Sequence, residues 1–474
     1  MLLERIFGLR EHGTTVRREI GAGVVTFLTM AYIIFVQPAV LSGVMFGEQM
    51  RTGMDFGAVM VATCLSAALF SVLMGVYARY PIALAPGMGE NFFFVFSAIP
   101  AAAAVGYAEP WRVALGMVFL SGCVFLLISL AGIREGLFEA VSLSMKHAIS
   151  VGIGLFIAFI GLQNAHVIVK DPGTAVRLNH VFESPDLVVF FVGLIVASAC
   201  VARGVRGGIL WGIAAATLAA LTLRLGLPRL APEWWQAKLV QESMLAKQFK
   251  LASAVVAAPP SLAPTFLKLD IAAAFHPKLL PFVLIFLYMA VFDTMGTLIG
   301  VGEMAGLLRD GKLVRAGRAF TTDAASSLVG SLLGTSTVTA YIESGAGIAY
   351  GGRTGLTAVT AGLLFLVAPF FSPVVEMVSS YPPITACALV LVGVMMMRNV
   401  ERIAWSDPSE AIPAFLVILG IPLSYSISDG LAIGFISYPI IKALSGRVRE
   451  VRWLMWLLSG LLLAYFVFVR SELG

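Results

Sequence analysis

An all-α polytopic membrane protein is the fold class this sequence predicts, on three observations. Hydrophobic residues make up 59% of its 474 positions and charged ones only 12%, with a mean hydropathy of +0.92, whereas a soluble domain carries about 25% charged residues. Apolar runs of the length that crosses a bilayer, roughly 17–25 residues, recur from end to end. These runs also lack the strict alternation of apolar and polar residues that marks barrel strands.

Taken in order, apolar segments are expected at 20–37, 56–78, 87–100, 111–132, 147–164, 186–202 and 207–224. A second set follows at 279–303, 321–334, 341–351, 355–378, 383–398, 411–427 and 430–445. That is about fourteen segments in two sets of seven. Charged connections separate them: Arg79 follows the second, Arg134 the fourth, and Arg203 and Arg206 divide the sixth from the seventh. Arg309, Lys312, Arg315 and Arg318 follow the eighth, Arg353 the tenth, and Arg398 and Arg402 the twelfth. With Arg17 and Arg18 at the N-terminus, these basic groups fall on one side; most loops of the other side are sparse, with Arg51, Arg112, Lys170 and Arg177, and the long 225–278 connection is the exception, since long loops translocate largely regardless of charge. The positive-inside rule therefore puts the N-terminus in the cytoplasm of a cell inner membrane. The first segment shows no cleavable signal pattern. Trp453 to Val469 reads equally as a fifteenth span or an interfacial helix.

The Pro- and Trp-containing stretch 225–278 divides the chain. The expected organisation is a first repeat at 1–224, an extracytoplasmic connection at 225–278, a second repeat at 279–450 and an apolar C-terminal segment at 451–474. Seven segments per half is an odd number, so halves sharing a fold must be inverted relative to each other, a common plan of secondary transporters. The net charge of +5 reports topology, because no basic, aromatic-interleaved face for nucleic acid stands out. Cys64, Cys123, Cys200 and Cys387 have no metal-ligand spacing and read as small buried hydrophobes. There is no GxxxxGK[ST] loop, HExxH or GxSxG motif, which argues against an ATP-driven pump or an enzyme.

Segments three and ten occupy matching places and both look broken. The third, Pro81 to Phe94, places two prolines and two glycines before an aromatic run, which favours an extended stretch leading into a half-helix. The tenth, Gly334 to Gly347, has a Ser/Thr-rich, β-favouring opening before a short helix. Irregular backbone at membrane depth survives only inside protein or beside a watery cavity, where half-helix N-termini offer N–H groups to a solute. Asp293, deep in Pro281–Gly302, and Glu343, at the break in segment ten, are the leading polar candidates. Their structural alternatives are a helix-packing hydrogen bond and a helix cap. Glu90 reads as a site carboxylate, a lateral salt-bridge partner or a near-surface group, and Asp323 as a cap or a proton relay. Asp429 reads as a helix cap, and Gln163 and Asn164 as pathway residues or interhelical bonds. The expected substrate-binding set is Glu343, Asp293, Glu90, Asn91, Gly87, Gly89, Thr339 and Ser344, with no metal.

Several stretches together resemble the nucleobase–cation symporters of the xanthine/uracil permease superfamily, in its guanine/hypoxanthine permease branch. They are Thr26–Ile34, Ala85-Pro-Gly-Met-Gly89, Gly152–Ala165, Pro260–Phe266, Phe292-Asp-Thr-Met-Gly-Thr-Leu298, Gly334–Gly347, Gly351–Ala358 and Gly434–Tyr438. The match runs in order from about residue 15 to 450. The resemblance implies fourteen helices in two inverted repeats, with segments 1–4 and 8–11 as a core and 5–7 and 12–14 as a gate. It places Asp293 and Glu343 at a substrate site between core and gate. Gln37, Glu90 and Asp429 depart from the branch, and Glu90 adds a third carboxylate beside the site. The expected activity is uptake of a purine base by proton symport, with no cofactor beyond the proton, in which Glu343 accepts guanine N1–H and the exocyclic amine and Asp293 carries the proton. Xanthine, uracil or adenine are alternative cargoes. An anion of the kind carried by related sulfate permeases fits less well, since the two acids would repel it. The expected partners are the base and the bilayer, not nucleic acid, and whether two copies pair as a homodimer is left open.

Overall fold

The computed structural model describes residues 2–47, 50–131, 141–309 and 312–468. Arg134, one of the loop arginines used for orientation, lies outside the described residues. Helices overlie every expected segment in order. The first half comprises α1 Val16–Leu41, α2 Phe56–Ala78, α3 Met88–Val105, α4 Pro110–Ala131, α5 Leu143–Asn164, α6 Pro185–Ala202 and α7 Gly208–Leu230. The second comprises α8 Leu280–Met304, α9 Ala316–Leu333, α10 Ser344–Tyr350, α11 Gly355–Ser379, α12 Pro382–Arg402, α13 Pro408–Ser424 and α14 Ile427–Leu444. A last helix, α15 Trp453–Phe468, packs on α14 and α8. Among the described residues eleven helices are long and apolar enough to cross a membrane. Outside that set are α9, rich in Ser and Thr, α10, with only 7 residues, and α13 and α15, with 17 and 16.

A three-residue strand precedes the third helix of each half: β1 Leu84–Pro86 before α3 and β2 Val338–Ala340 before α10. They pair antiparallel, Leu84 with Ala340, Ala85 with Thr339 and Pro86 with Val338. Equivalent strands of two inverted halves meet in this sense.

Helix packing relies on backbone approach, because lipid supplies no hydrophobic drive between helices and small residues allow close van der Waals contact. A Cβ on Gly355 of α11 would lie 1.8 Å from the Gly75 carbonyl oxygen of α2, so these helices touch through main chain. At Gly393 of α12 the Gly154 carbonyl oxygen of α5 would be 2.5 Å away.

Buried acids tie the ends together. Glu19, fully buried, accepts the N–H groups of Arg353 (2.9 Å) and Thr354 (3.2 Å) and the Thr357 hydroxyl (2.6 Å), fastening α1 to the start of α11. Asp186, also buried, accepts the N–H groups of Met244 (2.9 Å) and Leu245 (3.0 Å) and the Tyr381 hydroxyl (2.6 Å). That anchors the 225–278 connection on α6 and the approach to α12. Its far end is held by Asp270 N–H on the Arg112 carbonyl (2.9 Å) and Leu267 N–H on the Leu332 carbonyl (2.8 Å). The cap of α14 is Ser426, whose hydroxyl accepts the Asp429 N–H at 3.3 Å, so Asp429 sits in the first turn and is not the cap the sequence suggested. At the chain end of α14, Lys442 bridges Glu410 (2.9 Å) and Glu450 (2.8 Å), and Arg447 bridges Asp407 and Glu450 (2.7 Å each).

Gly355→Ala tests the main-chain contact. Overpacking typically costs about 1–3 kcal/mol, so the variant is expected to lose monodisperse protein in detergent and unfold at lower temperature; unchanged melting would show that α2 and α11 separate freely.

Candidate functional site

The crossed strands organise the site. Gly87 N–H donates to the Thr337 carbonyl (2.9 Å) and Tyr341 N–H to the Ala83 carbonyl (3.0 Å), extending the ladder at both ends. Each strand has an outer edge that must also be satisfied, since an unpaired buried backbone group costs as much as a lost hydrogen bond. On β1, the Ser71 hydroxyl of α2 accepts the Leu84 N–H (2.9 Å) and lies 3.2 Å from the Leu84 carbonyl. On β2, the Ser326 and Ser327 hydroxyls of α9 both donate to the Val338 carbonyl (2.8 Å each). Asp323 of α9 accepts the Ala340 N–H at 2.8 Å and the Thr294 hydroxyl of α8. Asp323 is thus neither a first-turn cap nor an open acid: it lies mid-helix, fully buried, and holds β2. The second helix of each half plays the same part for its own strand.

Both α3 and α10 begin at this crossing. Gly87 precedes α3 and Glu343 precedes α10, and neither start has a side-chain cap, leaving first-turn N–H groups and the positive dipole end directed at the crossing. The Glu343 carboxylate, instead of capping, accepts the Tyr32 hydroxyl of α1 at 2.9 Å, while Thr29 Oγ1 donates to the Glu343 carbonyl at 3.3 Å. Glu343 is half-buried. Tyr341 donates its hydroxyl to the Pro86 carbonyl at 2.5 Å.

Asp293 sits on the one face of α8 that opens, in line with Gly296, Gly300 and Glu303, all exposed. A Cβ on Gly296 or Gly300 would meet nothing within 4 Å. A carboxylate turned to hydrocarbon would cost about 2.5–3.5 kcal/mol or more, so water is the neighbour this face admits. Asp293 feels the charge of Glu343, and Glu90 that of Asp293.

Glu90, only 3% exposed, lies in the first turn of α3, where its Oε2 would be 2.2 Å from a Cβ on Gly87. Its burial rules out the near-surface position, and it lies at the start of α3. Gly87 therefore makes room for that carboxylate, whereas Gly89 faces Ile153 of α5 and Met289 of α8 with ordinary space. Thr339 lies 3.2 Å from Thr294, hydroxyl to hydroxyl. The Ser344 hydroxyl accepts the Ala83 N–H at 3.0 Å. Asn91 is fully buried, its amide nitrogen donating to Gln37 and its oxygen accepting from Ser336, and Gln37 donates to Thr335 at 3.0 Å. Phe92, Phe93 and Phe94 are all fully buried: Phe92 stacks on Phe96 with 6.0 Å between centroids, and Phe93 meets Phe286 edge-on at 4.7 Å. None of the three presents an open stacking face. Gln163 accepts the Tyr425 hydroxyl at 2.9 Å, an interhelical bond. Among the described residues no three acids, histidines or cysteines converge as a metal site.

Sequence reasoning missed Tyr32, Thr294, Ser71 and the Ser326–Ser327 pair. Only the unusual polarity of α9 signalled any of them.

The profile of the Permease family matches residues 17–433. A guanine/hypoxanthine permease of Bacillus subtilis is 40% identical over 473 residues, covering 99% of this chain and 100% of the relative. An adenine permease of Escherichia coli strain K12 is 39% identical over 472 residues, covering 99% of this chain and 97% of the relative. In fold, the chain is similar to the transmembrane domain of a cyanobacterium bicarbonate transporter, with a TM-score of 0.61 over 88% of this chain and 97% of the other at 11% identity.

Gly87→Ala would drive a methyl group into the Glu90 carboxylate. The expected result is folded protein by size-exclusion chromatography with transport slowed about tenfold or more, the rate equivalent of ~1.4 kcal/mol; wild-type transport would show that Glu90 can leave its place without consequence.

Proposed function

The chain belongs to the Permease family, a nucleobase permease family whose members are transporters and not enzymes, and from that premise we propose that it imports guanine or hypoxanthine by proton symport. The observation that carries the reading is a pair of acids on elements that pack at the crossed strands: Glu343 at the start of α10, held by a tyrosine hydroxyl, and Asp293 on an open face of α8. An ionised carboxylate has about four lone-pair sites, so a single bond from Tyr32 leaves Glu343 able to accept the adjacent N1–H and amine of guanine. Hypoxanthine presents N1–H to the same group. The 6-oxo group then faces the start of α3, which requires Glu90 there to be protonated. Neutral adenine has an acceptor at N1, which an ionised Glu343 repels.

Asp293 is the proton carrier in this scheme. It binds a proton with the base from outside and releases it when the site opens inward. Thr294 and Asp323 keep β2 in register beside it throughout. The moving body is a core of α1–α4 and α8–α11, the reference a gate of α5–α7 and α12–α14. The repeat division at 1–224, 225–278, 279–450 and 451–474 and the eight-residue substrate set from Gly87 to Ser344 stand as part of this proposal. A cytoplasmic N-terminus in the cell inner membrane is supported by the distribution of basic residues over the short connections.

The adenine permease among the relatives keeps adenine as the second reading. Uptake of radiolabelled guanine, hypoxanthine and adenine into proteoliposomes under an inward proton gradient separates them. Gradient-driven accumulation of the first two, lost in Glu343→Gln and in Asp293→Asn, is the expected outcome. Tyr32→Phe is expected to raise KM about tenfold or more, since hydrogen bonds to charged groups contribute about 1.5–3 kcal/mol. Adenine accumulation alone would move the reading to adenine, and no uptake of any base by folded protein would end the purine assignment.

A further inference from the structure

An apolar crevice of about 320 Å³ opens where α1 and α11 diverge from α7. Phe27 and Ile34 of α1, Leu364, Phe371 and Val375 of α11 and Leu210 of α7 line it. Every lining side chain is apolar, so water would find no hydrogen-bond partner there. From Leu364 to Val375 the helix advances about 16 Å at ~1.5 Å per residue, close to one leaflet of a ~30 Å hydrocarbon core. A helix is about 10–12 Å across, too wide to enter a crevice of this size whole. A hydrocarbon chain fits.

One end of the crevice is basic. Leu210 lies in the first turn of α7, and the turn leading into it carries Arg203 and Arg206, both exposed. Gly207 in that turn packs against the Leu28 carbonyl, one residue along α1 from Phe27. The Arg206 guanidinium lies 4.3 Å over the Tyr350 ring, and Tyr350 packs at Gly21, less than two turns before Phe27. A guanidinium has five N–H donors, so one held over a ring keeps donors for a phosphate. Charge and then hydrocarbon follow each other along α1 in the order of a phospholipid.

We propose that this crevice holds an acyl chain of an anionic phospholipid whose phosphate lies at Arg203 and Arg206. The lipid occupies a seam between the proposed core (α1, α11) and the proposed gate (α7), so it bears on their relative motion. That consequence for transport rests on the function proposed above, whereas the binding does not.

The test uses the purified full chain in phosphatidylcholine nanodiscs, with phosphatidylglycerol added and retained lipid read by native mass spectrometry. Wild type is expected to keep phosphatidylglycerol over phosphatidylcholine by about tenfold, ~1.4 kcal/mol. The surface double variant Arg203→Gln/Arg206→Gln is expected to lose that preference, and Ala368→Trp, which fills the crevice, to lose the retained lipid of either kind. Equal retention of both lipids by wild type, or a preference unchanged in the double variant, overturns the proposal even if Ala368→Trp fails to fold. In proteoliposomes, phosphatidylglycerol is expected to change the uptake rate of wild type severalfold and that of the double variant little. Binding without any effect on uptake removes the seam consequence. A protein that binds the lipid and carries no base counts against the purine reading alone.

Discussion

The antiparallel contact between two three-residue strands in the middle of the bundle is the constraint on which the rest of the structure depends. Extended backbone at membrane depth has no water to bond to, and each unsatisfied group costs several kcal/mol. Two short strands can satisfy only one edge of each other. The outer edges here are taken by Ser71 of α2 and by Asp323, Ser326 and Ser327 of α9, and the Ala83 N–H by Ser344. With those bonds in place, α3 and α10 can start in the interior, and their uncapped first turns can face a solute.

This accounting explains a helix that composition alone would discount. α9 is too polar to count among the apolar spans because one of its faces is a set of hydrogen-bond donors and acceptors for β2. Its apolar burden is shared with α4, against which it packs. The separation of roles among the acids follows from the same geometry. Asp323 is spent on backbone, Glu19 and Asp186 on fastening helix ends, and Asp293 and Glu343 are left where the interior opens. Acids that look alike in the sequence differ in what surrounds them.

Much of the fold was legible because a bilayer imposes a single, strong pattern. Apolar length and the Pro/Gly breaks located the helices within a few residues and pointed to segments three and ten as the irregular pair, since a helix cannot run through Pro86-Gly87 unbroken. The legible part of the site was its chemistry: Asp293 and Glu343 stood out because acids in apolar runs are costly. Less legible were residues whose type is ordinary. Tyr32 lies in a run of apolar residues and differs from its neighbours only by one hydroxyl, yet it is the group that holds Glu343. Asp429 read as the cap of its helix, but Ser426, three residues earlier, takes that place. The aromatic run Phe92–Phe94 is taken up in packing against α5 and α8.

The sequence by itself determined the class of molecule, the order of its helices, the site of the two breaks and the carboxylates near them, because each follows from local cost: burial of charge, loss of a backbone donor, or the length of an apolar run. Only the tertiary structure decided which acid bonds to what. Asp323 meets Ala340, Glu343 meets Tyr32 and Asn91 meets Gln37 across separations of 17 to 311 residues. Hydrogen bonds of that kind depend on direction and distances of a few ångströms, and those are fixed only when β1 and β2 cross.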